Sequence, residues 1–183
     1  MTLSRPNAAE LATATERIIP DLIGPGLDVL FVGINPGLYS GATGLHFARP
    51  GNRFWKAIHG AGFTDRVLDP SEQDQLLRAG LGITNLVART TATAAELSPD
   101  ELRAGVPILI GKLERWTPRS VAFLGISTYR VAFEQPKAAI GRQPTRLADS
   151  AVWVLPNPSG LNASWQLPRL IDAYRELRAS IRA

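Results

Sequence analysis

The sequence predicts an α/β domain, with a central and mainly parallel sheet of four strands flanked by helices in three layers. Three observations lead there. Four short segments (28–32, 82–86, 120–124 and 151–155) are β-branched-rich and almost continuously apolar, as strands covered on both faces must be. Helical patterns lie between them, and strands that alternate with helices imply right-handed crossovers. Each apolar segment also runs into a polar, turn-forming stretch: "GINPG", "NLVARTT", "GIST" and "PNPSGLN".

Taken in chain order, the first twenty residues read as an amphipathic helix over about 7–19, ahead of a core over about 27–178. "LDVLFVG" is the first strand. "NRFWKAIHGAG" then places Phe54, Trp55 and Ile58 on one side of a helix. The second strand ends at "TNL". After it, "SPDE" is a helix start: Ser98 at the N-cap, Pro99 at the first helical position and Glu101 closing a capping box. The helix that follows is expected to turn Leu102, Ile108, Leu109 and Leu113 toward a core. Two more strands follow. The last helix repeats Leu167, Leu170, Ile171, Tyr174 and Leu177 at helical spacing, with Arg169, Arg175 and Arg178 outside. No repeat or linker divides the chain, so 1–183 reads as one domain.

Composition narrows the chemistry. The chain has no cysteine, which removes disulfides, thiolate nucleophiles and iron–sulfur or zinc–thiolate sites. Only two histidines occur, His46 and His59, and no metal or organic cofactor is implied. No apolar run approaches the roughly 20 residues needed to cross a bilayer, and the N-terminus lacks a signal-peptide hydrophobic stretch. An intracellular, cytoplasmic protein is expected. The net charge is +4, with most of the positive charge on arginine, and the pI is near 10.0. That balance fits a polyanionic partner. Arg49, Arg53, Lys56, Arg142 and Arg146 are the candidates for phosphate contacts.

In open parallel sheets, ligands bind beyond the carboxyl ends of the strands, so all four polar stretches should meet at one edge. In "GINPG", Pro36 fixes its own φ and holds Asn35 extended, and the glycines let main chain approach a ligand. Asn35 is thereby a stiff amide at a strand end. It is too weak a base to take a proton at neutral pH, but it can orient a water or a planar heterocycle. "PNPSGLN" repeats the arrangement after the last strand, with Asn157 between two prolines. Leu161, between Gly160 and Asn162, reads either as a loop residue folding back to the core or as an apolar wedge for a base stack.

"GINPGL" at 33–38 with "NPSGLN" at 157–162 resembles the paired motifs of the mismatch-specific uracil-DNA glycosylases, the Mug/thymine-DNA glycosylase family. The similarity continues through "GNRFWKAIHGAGF" at 51–63 and "GITNLVARTT" at 82–91, covering about Leu27 to Tyr174. The resemblance implies a uracil-DNA glycosylase-like fold and a role for each matching position. Asn35 would position the attacking water. Phe47 would stack on the extruded base, with Ile34, Leu38, Asn85 and Asn157 as its other contacts. Leu161 would fill the vacated stack, Gly160 and Asn162 would address the orphaned opposite base, and Ser159 would contact a phosphate. His46 is a further candidate for the base or a phosphate, whereas His59 reads as structural.

The implied activity is that of a monofunctional glycosylase starting base excision repair. It would remove uracil, with thymine and other modified pyrimidines as further candidates, from G·U and G·T mismatches in double-stranded DNA. Such an enzyme flips the base out before cleavage and needs no partner subunit. Two helpers of faster relatives are missing: the water-activating carboxylate, where Asn35 stands, and the histidine of the second motif, where Asn157 stands. Two positions also depart from the family pattern. Ala88 precedes Arg89 where many relatives carry an acid, and Asn162 and Ala163 follow the wedge leucine where bacterial relatives place an arginine. One alternative keeps fold and DNA affinity but loses turnover, giving a mismatch- or lesion-binding protein. A nucleotide-binding enzyme is disfavoured, because "GINPG" has neither the glycine spacing of a dinucleotide fingerprint nor the Gly-Lys-Ser/Thr of a P-loop.

Overall fold

A computed structural model describes residues 5–182. Its sheet has five strands: β1 (Val29–Gly33), β2 (Leu81–Asn85), β3 (Ser120–Leu124), β4 (Gly141–Leu147) and β5 (Ser150–Leu155). Their order is β2-β1-β3-β5-β4, with β2, β1, β3 and β5 parallel and β4 antiparallel to β5. The four expected strands are present, each within one residue of its expected bounds. The fifth, β4, is an addition to the expected four. Its sequence, GRQPTRL, carries two arginines, a proline and hardly any buried side chain. Those are the residues of an exposed edge strand, and they lack the apolar run that announces a central one.

Both faces of the sheet are covered, and the period-2 alternation of each strand divides the core in two. Val29, Phe31, Ala122, Leu124, Trp153 and Leu155 face the side packed by α3 (Phe54–Gly60) and α7 (Leu167–Arg182). Leu30, Val32, Val121, Phe123, Val152 and Val154 face α5 (Pro99–Trp116) and α6 (Ile126–Ala132). Such two-sided burial is what nearly continuous apolar strands require.

Helix α5 begins as the sequence indicates, with the reciprocal Ser98–Glu101 capping box. Its buried stripe is Leu102, Gly105, Leu109 and Leu113. Ile108, expected in the core, is 64% exposed, because it sits about 100° round the helix from the centre of that stripe. Gly105 takes the inward place: a Cβ there would lie 2.3 Å from the Leu86 carbonyl oxygen, so α5 rests on main chain.

The N-terminal helix is also shorter than the 7–19 expected. The first helix, α1 (Ala8–Ala12), starts at the Asn7 capping box and gives way to turns, with Glu16 at φ 64°. Residues 17–22 then run back past the end of β2, with Ile18 bridged antiparallel to Arg89 and Leu22 to Ile83. Leu22 exchanges both backbone hydrogen bonds with Ile83, and Thr90 bonds through its N–H and hydroxyl to the Arg17 carbonyl. That stretch fixes the "RTT" segment beside the end of β1. Two short helices, α2 (Leu38–Thr43) and α4 (Gln75–Arg78), complete the α-helices among the described residues.

Candidate active site

The sheet order reverses at β1, whose neighbours β2 and β3 are reached in opposite directions. That is where an open parallel sheet leaves a crevice at its carboxyl edge. A cavity of about 390 Å³ occupies it. "GINPG" forms one wall, Asn85 and Thr91 a second, Asn157 and Ser159 a third, and His46, Phe47, Arg49 and Asn52 a fourth. Of the four polar stretches, "GIST" alone stays out of the wall. Its Gly125, at φ 145°, packs behind, with its Cβ position 3.4 Å from Ile34 and 3.9 Å from Asn157.

Asn35 is half-buried and its amide nitrogen is fully engaged. Nδ2 donates to the Thr91 hydroxyl at 2.7 Å, to the Arg89 carbonyl at 3.0 Å and to the Pro36 carbonyl at 3.2 Å. Carbonyls only accept, so the NH₂ end must face them, and the amide orientation is settled by its partners. No protein group among the described residues bonds to Oδ1. The acceptor end is therefore left for a water or a ligand in the cavity. Thr91 was not singled out from the sequence. It stands at an exit of the parallel sheet, the place where such residues are expected, but 56 residues from its partner.

One part of the wall is aromatic and amide. Phe47 lies flat on Phe54, with ring centroids 4.2 Å apart and an interplanar angle of 26°. It adopts φ 50°, a left-handed conformation that costs an aromatic residue energy and that the surrounding packing has to hold. Asn85 reaches the cavity across Gly33: a Cβ on Gly33 would come within 2.5 Å of Asn85 Oδ1. The first glycine of "GINPG" is thus the space that the Asn85 side chain occupies. Ile34 and Leu38 also line the cavity, half-buried.

The charge on the wall is sparse. Among the described residues Arg49 is its one charged residue, and no Asp or Glu contributes to it. Ala88 is exposed and lies outside the wall. His46 is 2% exposed and holds its Nε2 3.0 Å from the Pro20 carbonyl. That carbonyl needs a donor, so Nε2 carries the proton and Nδ1 is bare. Burial moves the His46 pKa below the ordinary histidine value, which leaves the ring neutral. It brings no positive charge to the cavity. His59 bonds to the Thr64 carbonyl at 3.0 Å, away from the cavity. Among the described residues no group of three or more His, Asp or Glu is placed to hold a metal ion.

Arg89 braces the Asn35 wall from outside. Its guanidinium pairs with Glu101 at 2.7 and 3.2 Å and with Glu16 at 2.7 Å. The Arg89 partner, helped by the Ser98 N–H, pulls the Glu101 carboxyl down to about 2.

The loop after β5 is a chain of internal turns. Asn157 Oδ1 accepts from the Ser159 N–H at 2.9 Å, and the Leu161 N–H donates to Ser159 Oγ at 3.3 Å. Asn162 Nδ2 donates to the Asn157 carbonyl at 3.0 Å. Asn157 and Ser159 reach the cavity, whereas Gly160, Leu161 and Asn162 lie beyond it. Leu161 is 75% exposed, so it does not fold back to the core.

The phosphate candidates scatter. Arg49 is at the cavity and Lys56 is exposed on α3. Arg146 pairs with Ala151 at the start of β5, the opposite end of the sheet, and Arg142 lies on the β4 edge. Arg53 is committed within the protein. Its guanidinium faces main-chain carbonyls of the loop after β5.

A family model described as the uracil DNA glycosylase superfamily matches residues 20–178. The chain is also similar to a solution NMR structure of a candidate uracil DNA glycosylase from Methanosarcina acetivorans. That match has 18% identity and a TM-score of 0.61, covering 89% of this chain and 98% of the other. It extends to the mixed five-stranded sheet and its flanking helices.

Proposed function

The chain belongs to the uracil DNA glycosylase superfamily, and from that premise we propose that it is a monofunctional glycosylase of the mismatch-specific type. Its substrate is uracil, and by extension thymine or another modified pyrimidine, opposite guanine in double-stranded DNA. The observation that carries the reading is the Asn35 amide. Its nitrogen is spent on Thr91 and the Arg89 carbonyl, and its oxygen has no partner among the described residues and belongs to the cavity that Phe47 also lines.

In the reaction, the C1′–N1 glycosidic bond breaks and the electron pair leaves with the pyrimidine as an anion. A water held by Asn35 Oδ1 forms the new bond to C1′ and gives its proton to solvent, leaving an abasic site. An amide cannot take that proton, and the cavity wall offers no carboxylate. Catalysis therefore rests on positioning and on donors aimed at the departing base, such as the Asn157 Nδ2 group. Without a general base worth roughly 10²–10⁴-fold, the enzyme is slow. Selectivity then follows the cost of extrusion, which is lowest for a mispaired base. Phe47, backed by Phe54, supplies a stacking face, and the exposed Leu161 suits a wedge entering the emptied stack. Arg49 at the mouth suits a phosphate. No lysine among the described residues lines the cavity, so no lysine among them is placed for a Schiff-base lyase step.

The lack of a carboxylate in the wall also favours one alternative, a mismatch- or lesion-binding protein without turnover. Release of free uracil from a duplex with one G·U pair, under single-turnover conditions, separates the two. Release supports the glycosylase. Tight binding of that duplex with no release would replace it with the binding protein.

A further inference from the structure

Residues 159–164 carry Leu161 and are held by local hydrogen-bonded turns, with no apolar packing of their own. Gly160, Leu161, Ala163 and Ser164 are all exposed, and no residue of the stretch belongs to either core cluster. A side chain that must enter a base stack cannot be delivered by a floppy loop, because ordering it would consume the binding energy. Something else has to order it.

Arg53 is placed to do so. Its Nη1 donates to the Trp165 carbonyl at 2.5 Å, and its Nη2 to the carbonyls of Asn162, at 3.0 Å, and Ser159. Nε reaches the Pro158 carbonyl at 3.4 Å, and the Arg53 backbone N–H donates to that same oxygen at 3.0 Å. Four carbonyls on both sides of Leu161 thus converge on one planar fork. Among the described residues no carboxylate within 4 Å pairs with this half-buried cation. Next to it, Gly160 packs so closely on Gly51 that a Cβ would lie 2.7 Å from the Gly51 carbonyl oxygen.

We propose that Arg53 is the positioning residue for Leu161: by gripping the main chain of 158–165 it pre-orders the wedge. It also ties the wedge to the segment that carries Asn52 of the cavity wall and Phe54 under Phe47. The proposal rests on the glycosylase reading. A guanidinium suits it, since five donors in a rigid plane reach all four carbonyls, whereas an ammonium offers three donors from a single point.

The test is a double-mutant cycle with Arg53→Gln and Leu161→Ala, read by single-turnover release of uracil from a G·U duplex and by amide hydrogen exchange without DNA. Arg53→Gln is expected to slow release about 10- to 100-fold. In the Leu161→Ala background the same change should cost less than about threefold, because the group it presents is gone. Exchange should rise across 159–165 and stay unchanged in the sheet. Arg53→Lys carries the same comparison if Arg53→Gln does not fold. Losses that multiply in the double variant, or unchanged exchange across 159–165, would overturn the proposal. A wild-type protein that releases no uracil sinks the glycosylase reading instead, and the exchange data then decide alone whether Arg53 orders the loop.

Discussion

The amide nitrogen of Asn35 lies 2.7 Å from the hydroxyl of Thr91, and that hydroxyl lies 2.8 Å from the carbonyl oxygen of Thr93. The Thr93 carbonyl can only accept, so Thr91 donates to it and must accept from Asn35. A side chain 56 residues away thereby joins the Arg89 and Pro36 carbonyls in setting which end of the Asn35 amide meets the cavity.

Replacing Thr91 with valine removes that acceptor while keeping the shape. Thr91→Val should slow uracil release about 10- to 100-fold, as expected when a reacting group loses its alignment. Thr91→Ser should stay close to wild type, and duplex affinity should hold in both. Equal losses for Val and Ser, or a parallel loss of affinity, would mean that the hydroxyl does not act through Asn35.

The pH profile follows from the same wall. No Asp or Glu faces the cavity, and burial keeps His46 neutral by lowering its pKa. Wild-type release should therefore be flat from about pH 6.5 to 9, with no carboxylate and no protonated histidine in the wall to serve as base or acid. Asn35→Asp would set a carboxylate against the Arg89 and Pro36 carbonyls, which raises the pKa of the new acid. That variant should gain a rate that climbs with pH. A bell-shaped profile for the wild type would reveal a general base that positioning does not account for.

Gly33 tests the Asn85 contact. Its added methyl would sit 2.5 Å from Asn85 Oδ1 and 3.5 Å from Phe47, in ordinary strand backbone. Gly33→Ala should lower stability by about 1–3 kcal/mol, the cost of dislodging a half-buried amide. It should also raise KM for the mismatched duplex more than it lowers kcat. Trimming the obstacle with Asn85→Ala in the same chain should restore most of the melting temperature. If thermal unfolding shows no such recovery, the close approach is not what Gly33 is for.

The sequence was most legible where one residue type carries its own constraint. The apolar strands, the Ser98–Glu101 cap and the stiff Asn35-Pro36 pair all declare themselves within a few neighbours. Strand β4 was not legible, because an exposed edge strand keeps Arg142, Pro144 and Arg146 instead of an apolar run. Ile108 misled because its apolarity was counted and Gly105, which makes the closer contact, was not. Arg53 looked like a phosphate ligand. Its carbonyl partners begin 105 residues further along, and only the fold brings them together. Thr91 was hidden for the same reason.

Leu161 is 75% exposed on a loop whose turns are closed by its own Asn157, Ser159 and Asn162. A wedge is needed when a base must be held out of a duplex, and has nothing to fill when the strand is single. Leu161→Ala should therefore slow release from the G·U duplex by about 10-fold or more, since refilling an emptied stack is worth a few kcal/mol. Release from a single-stranded uracil oligonucleotide, where it occurs, should fall by less than about twofold, because no stack has to be refilled there. Melting temperature should be unchanged, as an exposed side chain far from both core clusters contributes little to folding. Equal losses on the two substrates would assign Leu161 to the cavity side of the reaction. A loss of melting temperature would assign it to the fold.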